Sequence, residues 1–398
     1  MQKRGIQNLS VEGKKVLVRV DFNVPLNEAG EITDDTRIQA AIPTIEFLLN
    51  HGATVILMSH LGRPKGKKEA RFSLAPCAKR LEELLGQPVK MAPDCVGEKV
   101  EKMANGLKSK EILLLENLRF HEAEEKPEKD PLFAENLAKL ADFYVNDAFG
   151  TAHRAHSSTA TITSYFPGKA AAGLLLQKEI DFLGQHFKKP KHPFYAVIGG
   201  AKVSSKLGVL ESLLQKVDAL FIGGGMAYTF LKAQGIEIGD SLCEDALLRK
   251  AKGFLQAAQK KKIPLFFPVD LVVADAFSAS ANTQVIETSQ GIPLGYEGMD
   301  IGPKTLEQWL STLKNSQMIF WNGPLGVFEF PPFAHGTNGM AQGLASLPAT
   351  TIIGGGDSVA AINKLGLSQK FSHVSTGGGA CLEYIEYGHL RGIDALSN

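Results

Sequence analysis

The chain has 398 residues and a formal net charge of +1. This length suggests two or three domains, and the charge leaves no global field to draw the protein onto nucleic acid or a membrane. With 44% hydrophobic and 21% charged residues it reads as globular, not disordered or fibrous. Cys77, Cys95, Cys243 and Cys381 are scattered and form no C-x-x-C pair, which argues against a zinc knuckle and fits a reducing compartment. The opening MQKRGIQNLSVEGKK carries no apolar leader, and no apolar run has membrane-spanning length, so a cytoplasmic protein is expected.

In chain order, VLVRV predicts a strand that runs into Asp21 and Asn23. Ile38, Ala41, Ile42, Ile45, Leu48 and Leu49 then share one helix face, with Pro43 marking a first turn or a kink. TVILMS predicts a strand ending at His60 and Arg63, followed by the helix LAPCAKRLEELLG and the strand EILLLEN, which leads to Asn117 and Arg119. Residues 122–131 read as an exposed polar loop; the helix PLFAENLAKLA and the strand DFYVND follow, the latter leading to Asp147, His153, Arg154 and His156. LLLQKEIDFLGQHF predicts one helix with Leu175, Ile180, Leu183 and Phe187 on one face, and KKPKHP a connector after it. Beyond it come the strand FYAVIGG, a helix beginning near Lys202, ALFIGG, the helix EDALLRKAKGFLQAAQKK, PLFFPVD, MIFWNGP and ATTIIGGG. Alternating elements with near-continuous apolar strands predict an α/β fold: two doubly wound, parallel-sheet (Rossmann-like) domains joined by a helix hinge.

The strand endings carry the chemistry, because ligands of open α/β sheets sit beyond the carboxyl ends of the strands. In the first half these endings hold Arg37, Arg63, Arg119 and Arg154, whose planar guanidinium groups suit phosphate and carboxylate. Each arginine taken singly is better explained as a solvated surface residue; together, in loops expected to converge on one sheet edge, they point to an anion. Asp21 and Asn23 offer acceptors for hydroxyls, or simply form a turn ahead of Pro25. His153 and His156 lack a third ligand nearby in sequence and sit among cations, so a metal pair is not expected.

In the second half the endings are glycine-rich. Gly199 and Gly200 precede Lys202 and Lys206, which are four residues apart and are expected to share a helix face near its N-terminus, where a phosphate would offset them. Gly354–Gly355–Gly356–Asp357–Ser358 opens a helix, with Asp357 either an N-cap or a magnesium ligand. Gly377–Gly379 forms a third such junction, able to present amides as an anion nest. Neither a Walker A loop nor a G-x-G-x-x-G fingerprint is present, so any nucleotide would be held by a different arrangement of glycine-rich turns; the missing G-x-G-x-x-G weighs against a nicotinamide-dependent oxidoreductase. A non-enzymatic, nucleotide-gated module would bind nucleotide without turnover.

RVDFNVPL, LMSHLGRP, LLENLRFH, NDAFGTAHRAHSS, GGAKVSSKL, IGGGMAYTFLK, DIGP, WNGPLGVFEF, GGGDS and STGGGA occur in order along essentially the whole chain. In these strings it resembles the phosphoglycerate kinases. The resemblance implies reversible phosphoryl transfer between 1,3-bisphosphoglycerate and Mg-ADP, giving 3-phosphoglycerate and Mg-ATP, by a monomer whose domains close. It implies a triose domain over 1–170 with a return at about 378–398, a linking helix and hinge over 171–190, and a nucleotide domain over 191–377. Asp21, Asn23, Arg37, His60, Arg63, Arg119 and Arg154 would then bind the triose. Gly200, Ala201, Lys202, Lys206, Gly224, Gly298, Asn322, Glu329, Gly355, Gly356, Asp357 and Ser358 would bind the nucleotide, with Asp357 on magnesium. Arg37, Lys202 and the amides of Gly378 and Gly379 would act on the transferring group. Two departures are visible: Ser358 stands where threonine is usual, and the tail IEYGHLRGIDALSN lacks the usual lysine- and glutamate-bearing ending.

Overall fold

A computed structural model describes residues 3–397. It divides into two compact units, one taking the chain up to Asp181 and again from His389, the other running from Phe182 to Gly388. The return to the first unit therefore starts later than the expected position near 378.

In the first unit six parallel strands form one sheet: β1 (Lys15–Arg19), β2 (Thr54–Met58), β3 (Val89–Met91), β4 (Ile112–Leu114), β5 (Phe143–Asn146) and β6 (Ala170–Ala172), in the order β3-β4-β2-β1-β5-β6. Every residue of β2 is buried, as expected of a central strand covered on both faces. The helix Thr36–Asn50 packs Ile38, Ala41, Ile45 and Leu48 into the core; Pro43 lies well inside it and not in its first turn. The segment 122–131 is not the expected exposed loop. It forms the short helix Glu122–Glu125 and a 3-10 turn Pro127–Lys129, and it buries Ala123 and Glu124. The C-terminal tail docks despite its unusual sequence. Gly392 N–H donates to Ala152 O at 2.7 Å, Arg4 N–H to Ser397 O at 3.1 Å, and Leu390, Ile393 and Leu396 are buried.

The second unit holds β7 (Phe194–Ile198), β8 (Ala219–Ile222) and β9 (Leu265–Phe266), then β10 (Asp270–Ala274), β11 (Thr283–Glu287) and β12 (Glu297–Ile301), and finally β13 (Met318–Asn322), β14 (Thr350–Gly354) and β15 (His373–Val374). Its main sheet is parallel, in the order β15-β14-β13-β7-β8-β9. Strands β11-β10-β12 make a separate antiparallel sheet that the alternating pattern did not announce. Asp270 ties this insert down: its carboxylate accepts from Thr305 N at 2.8 Å and Lys304 N at 3.0 Å, holding the first turn of the helix Pro303–Leu313.

The helix Leu174–Lys188 is continuous, as the sequence predicts, but Leu176 and not Leu175 joins Ile180, Leu183 and Phe187 on the buried face. In the first unit its opening amides, Leu175 N and Leu176 N, donate to Asp147 at 2.9 and 3.1 Å.

Candidate active site

In both main sheets the strand order reverses beside the first strand of the unit: between β1 and β5 in one, between β7 and β13 in the other. Such switch points open a crevice at the carboxyl ends, where ligands bind. Asp21 and Asn23 follow β1, and Lys206 and Asn322 meet between β7 and β13.

In the first unit, Arg37 Nη1 donates to Asp21 Oδ2 at 2.9 Å, and Asp21 Oδ1 lies 3.9 Å from His60 Nδ1. Asn23 Oδ1 accepts from Gly62 N–H at 2.8 Å, while Arg119 Nη1 donates to the carbonyl of the same Gly62 at 2.7 Å. Arg63 is the next residue and is exposed, as is Arg154, whose Nε donates to His153 Nε2 at 3.1 Å. Five of the seven triose candidates are thus joined in two small networks. Arg154 lies near enough to Arg119 for its charge to bear on it.

Sequence reasoning missed the residue that organises this centre. Arg19, the last residue of β1, is fully buried and donates to Ser158 Oγ at 2.8 Å and to Val20 O. Its Nη2 lies 3.2 Å from His60 Nδ1 and 3.9 Å from Glu124 Oε1. A charged residue inside the apolar run VLVRV was the available signal, because a buried guanidinium requires partners. Burial, then the Arg19, Arg119 and Arg37 charges, push His60 well below the usual histidine range. The ring is therefore neutral; with Nδ1 accepting from Arg19, its proton sits on Nε2. His153 and His156 are likewise held low by burial and neighbouring arginines, to about 4 and about 3. The unit therefore presents arginines and neutral imidazoles, a surface suited to an anion with hydroxyls.

In the second unit, Lys202 and Lys206 do not share a helix face. Lys202 precedes the 3-10 turn Val203–Ser205 and is exposed, and Lys206 precedes the helix Leu207–Leu213. The Lys206 side chain turns back instead, donating to Gly199 O at 2.6 Å, Asn322 Oδ1 at 2.6 Å and Asn322 O at 3.2 Å. It bridges the ends of β7 and β13 at the switch point. Burial pulls its ammonium down to about 8, against the opposing influence of Asp357.

Beside it opens a cavity of about 480 Å³, lined among others by Gly200, Ala201, Gly224, Gly298, Glu329 and Asp357. Its size suits a nucleotide-sized ligand. The glycines are sterically required: a Cβ on Gly298 would come within 2.2 Å of the Tyr228 ring, and one on Gly224 within 2.6 Å of Gly200 N. The lining also includes Tyr228, Leu242, Phe277 and Phe330, which sequence reasoning missed. Phe277 is an exposed aromatic in a small polar stretch, a readable signal for a ring surface.

Two expected nucleotide contacts lie behind this lining. Asn322 is buried and holds Lys206, and Ser358 Oγ accepts from Gly323 N–H at 2.6 Å. Gly355 has φ +90°, and a Cβ there would stand 2.8 Å from Asn322 Nδ2. Gly356 starts the helix Gly356–Lys364, with Asp357 exposed in its first turn. Asp357 is not the N-cap; that position belongs to Gly355. Gly378 caps the helix Gly379–Tyr387 with φ 52°, after the edge strand β15.

Two doubly wound units, one with arginines and the other with glycine-rich turns at the carboxyl ends of its strands, have the chemistry of proteins that bind anionic ligands. A family profile described as phosphoglycerate kinase matches residues 6–388. The chain is 54% identical to the phosphoglycerate kinase of Moorella thermoacetica over 397 residues, covering 100% of both, and 53% identical to the cytosolic phosphoglycerate kinase of Triticum aestivum, covering 99% and 98%. Its fold is similar to that of the Coxiella burnetii enzyme (TM-score 0.85, 41% identity, 99% and 98% covered) and the Pyrococcus horikoshii enzyme (TM-score 0.87, 33% identity, 99% and 98% covered). The chain belongs to the phosphoglycerate kinase family. It is a phosphotransferase, moving a phosphoryl group reversibly between 1,3-bisphosphoglycerate and ADP.

Proposed function

We propose that the first unit holds the triose and the second the nucleotide. Arg37, Arg119 and Arg154, with Arg63 and the Nε2–H of His60, bind the triose anion; Asp21 and Asn23 orient it. The glycine turns around Gly200, Gly224 and Gly355 bring backbone close to the polyphosphate, and Lys206 meets its charge. The single observation that carries this reading is Lys206 Nζ at the β7–β13 switch point, beside a cavity of about 480 Å³. Asp357 fits a magnesium ligand. It is a carboxylate on the cavity wall at the start of a helix, and magnesium takes one or two carboxylates together with phosphate oxygens. When bound, the ion offsets phosphate charge.

In transfer toward ATP, an oxygen of the ADP β-phosphate attacks the acyl phosphorus and the carboxylate of 3-phosphoglycerate leaves. No protein nucleophile and no proton transfer is required. A loose transition state spreads charge over the equatorial oxygens, so the chain's part is alignment and neutralisation. Arg37 and Lys202 serve that end, with the amides of Gly378 and Gly379. Both ligands must be brought together and water kept from the acyl phosphate, which domain closure achieves. Asp357→Ala, assayed with 3-phosphoglycerate and Mg-ATP, should lose Mg-nucleotide affinity and turnover; unchanged values would remove its metal role.

A further inference from the structure

The parallel pairing of β3 with β4 brings together two loops remote from each other in sequence. Asp94 and Cys95 stand after β3, and His121 follows the turn Leu118–Phe120 after β4. A carboxylate oxygen of Asp94, the Cys95 sulfur and an imidazole nitrogen of His121 all lie within 4.8 Å of one another. His121 Nε2 and Asp94 Oδ1 are 2.6 Å apart, and Cys95 Sγ donates to Glu116 O at 2.9 Å.

We propose that Asp94, Cys95 and His121 form a binding site for a divalent transition ion of the zinc class, separate from the triose and nucleotide groups. A thiolate, an imidazole and a carboxylate select zinc-like ions over magnesium, which prefers oxygen alone. Bonds of about 2.0–2.3 Å place the ligands of a tetrahedral ion roughly 3.3–3.8 Å apart. The Asp94–His121 pair therefore opens slightly and the Cys95 side chain moves in by about 1 Å, within the reach of rotamer adjustment. The His121 ring is already steadied by stacking on Phe133, centroids 4.8 Å apart.

The carboxylates of Asp94, Glu124 and Glu116 lie near enough to Cys95 for their charges to bear on it, a field that attracts a cation. Lys68 opposes this, its ammonium held on Pro93 O at 2.7 Å, one positive charge against three carboxylates. The Asp94 and His121 side chains are 43% and 29% exposed, so an ion can enter and water can fill the fourth position. On binding, the thiol proton leaves to solvent and the sulfur lone pair forms the metal bond. The plainer arrangement is an Asp–His hydrogen bond that only closes the two loops.

Cobalt(II) titration of the full-length, metal-free protein, without nucleotide or phosphate, separates the two. A thiolate-to-cobalt charge-transfer band should saturate at one equivalent per chain and be displaced by zinc but not magnesium. It should vanish in Cys95→Ala and persist in Cys243→Ser. Asp94→Asn and His121→Gln, whose side chains reach the surface, should each weaken binding at least ~10-fold with the thermal unfolding midpoint of the metal-free protein retained. The proposal is overturned by the absence of a band in the wild type, by a band that survives Cys95→Ala, or by unchanged cobalt affinity in both surface variants.

Discussion

Lys206 Nζ lies 2.6 Å from Asn322 Oδ1, so the last residue of β13 fixes a cation that leaves β7 by a different loop. Asn322 and the Gly199 carbonyl hold the ammonium at the carboxyl ends of β7 and β13. Lys206→Met should lower turnover by about 10²–10³, the scale of a lost charge-stabilising donor, and should cost about 1–3 kcal/mol because buried acceptors lose their donor. Steady-state kinetics with denaturant unfolding checks both. Near-normal turnover would remove Lys206 from the machinery.

The same lysine gives a pH dependence. Burial lowers its ammonium to about 8, so the cation is intact below that pH and lost as pH rises through it. Nucleotide affinity of the free protein should therefore fall above about pH 8. An affinity flat from pH 7 to 9.5, measured calorimetrically at fixed free magnesium, would contradict the assignment.

His60 should remain neutral through the range where histidine normally protonates. Its folded pKa is depressed, by burial first and then by Arg19, Arg119 and Arg37. The stability this represents is complete above the unfolded value near 6.5 and is lost as pH falls below it. Nitrogen-15 shifts of the His60 ring should report the Nε2–H tautomer at pH 6.5; a titration midpoint at or above that value would overturn the arrangement.

Arg19→Met should destabilise the first unit by about 3–5 kcal/mol, because it leaves the fully buried Glu124 without its cation. Adding Glu124→Gln should recover part of that loss. Thermal unfolding of the two single variants and the double variant measures the coupling; strict additivity would show that the pair does not interact.

Much of this was readable in the chain. The apolar runs ending in Asp21, His60, Arg119, Gly200 and Gly355 marked the strand ends because a parallel sheet buries both faces and leaves polar residues at its edge. The antiparallel insert β10–β12 was not legible: DLVVA looks like any buried strand, and TQVIE is largely exposed. Glu124 was hidden for a different reason. In EAEEKPEKDP its charge suggested solvent, and only the distant Arg19 and Ser158 explain its burial. The helix expected to begin near Lys202 failed locally, because Lys206, with φ −133°, interrupts it before Leu207.

Asp300 supplies a test of opposite sign to His60. It is buried under the cavity wall, accepting from Gly336 N at 2.7 Å and Ile301 N at 2.8 Å, and burial raises it to about 7. Its contribution to stability is fully present below about pH 4 and is lost as pH rises through about 7. Asp300→Asn should flatten the stability profile across that window. Asp147, raised to about 6 by burial, leaves a residual slope of the same sign.

The division of labour between the two units is tested most directly by calorimetric titration of 3-phosphoglycerate and of Mg-ADP, each alone, into the wild type, Arg119→Ala and Lys206→Met. Arg119→Ala should weaken the triose at least ~10-fold, the scale of a charge-assisted contact, and leave Mg-ADP unchanged; Lys206→Met should do the reverse. Loss of both affinities in either folded variant, or of the wrong one, would contradict separate triose and nucleotide sites.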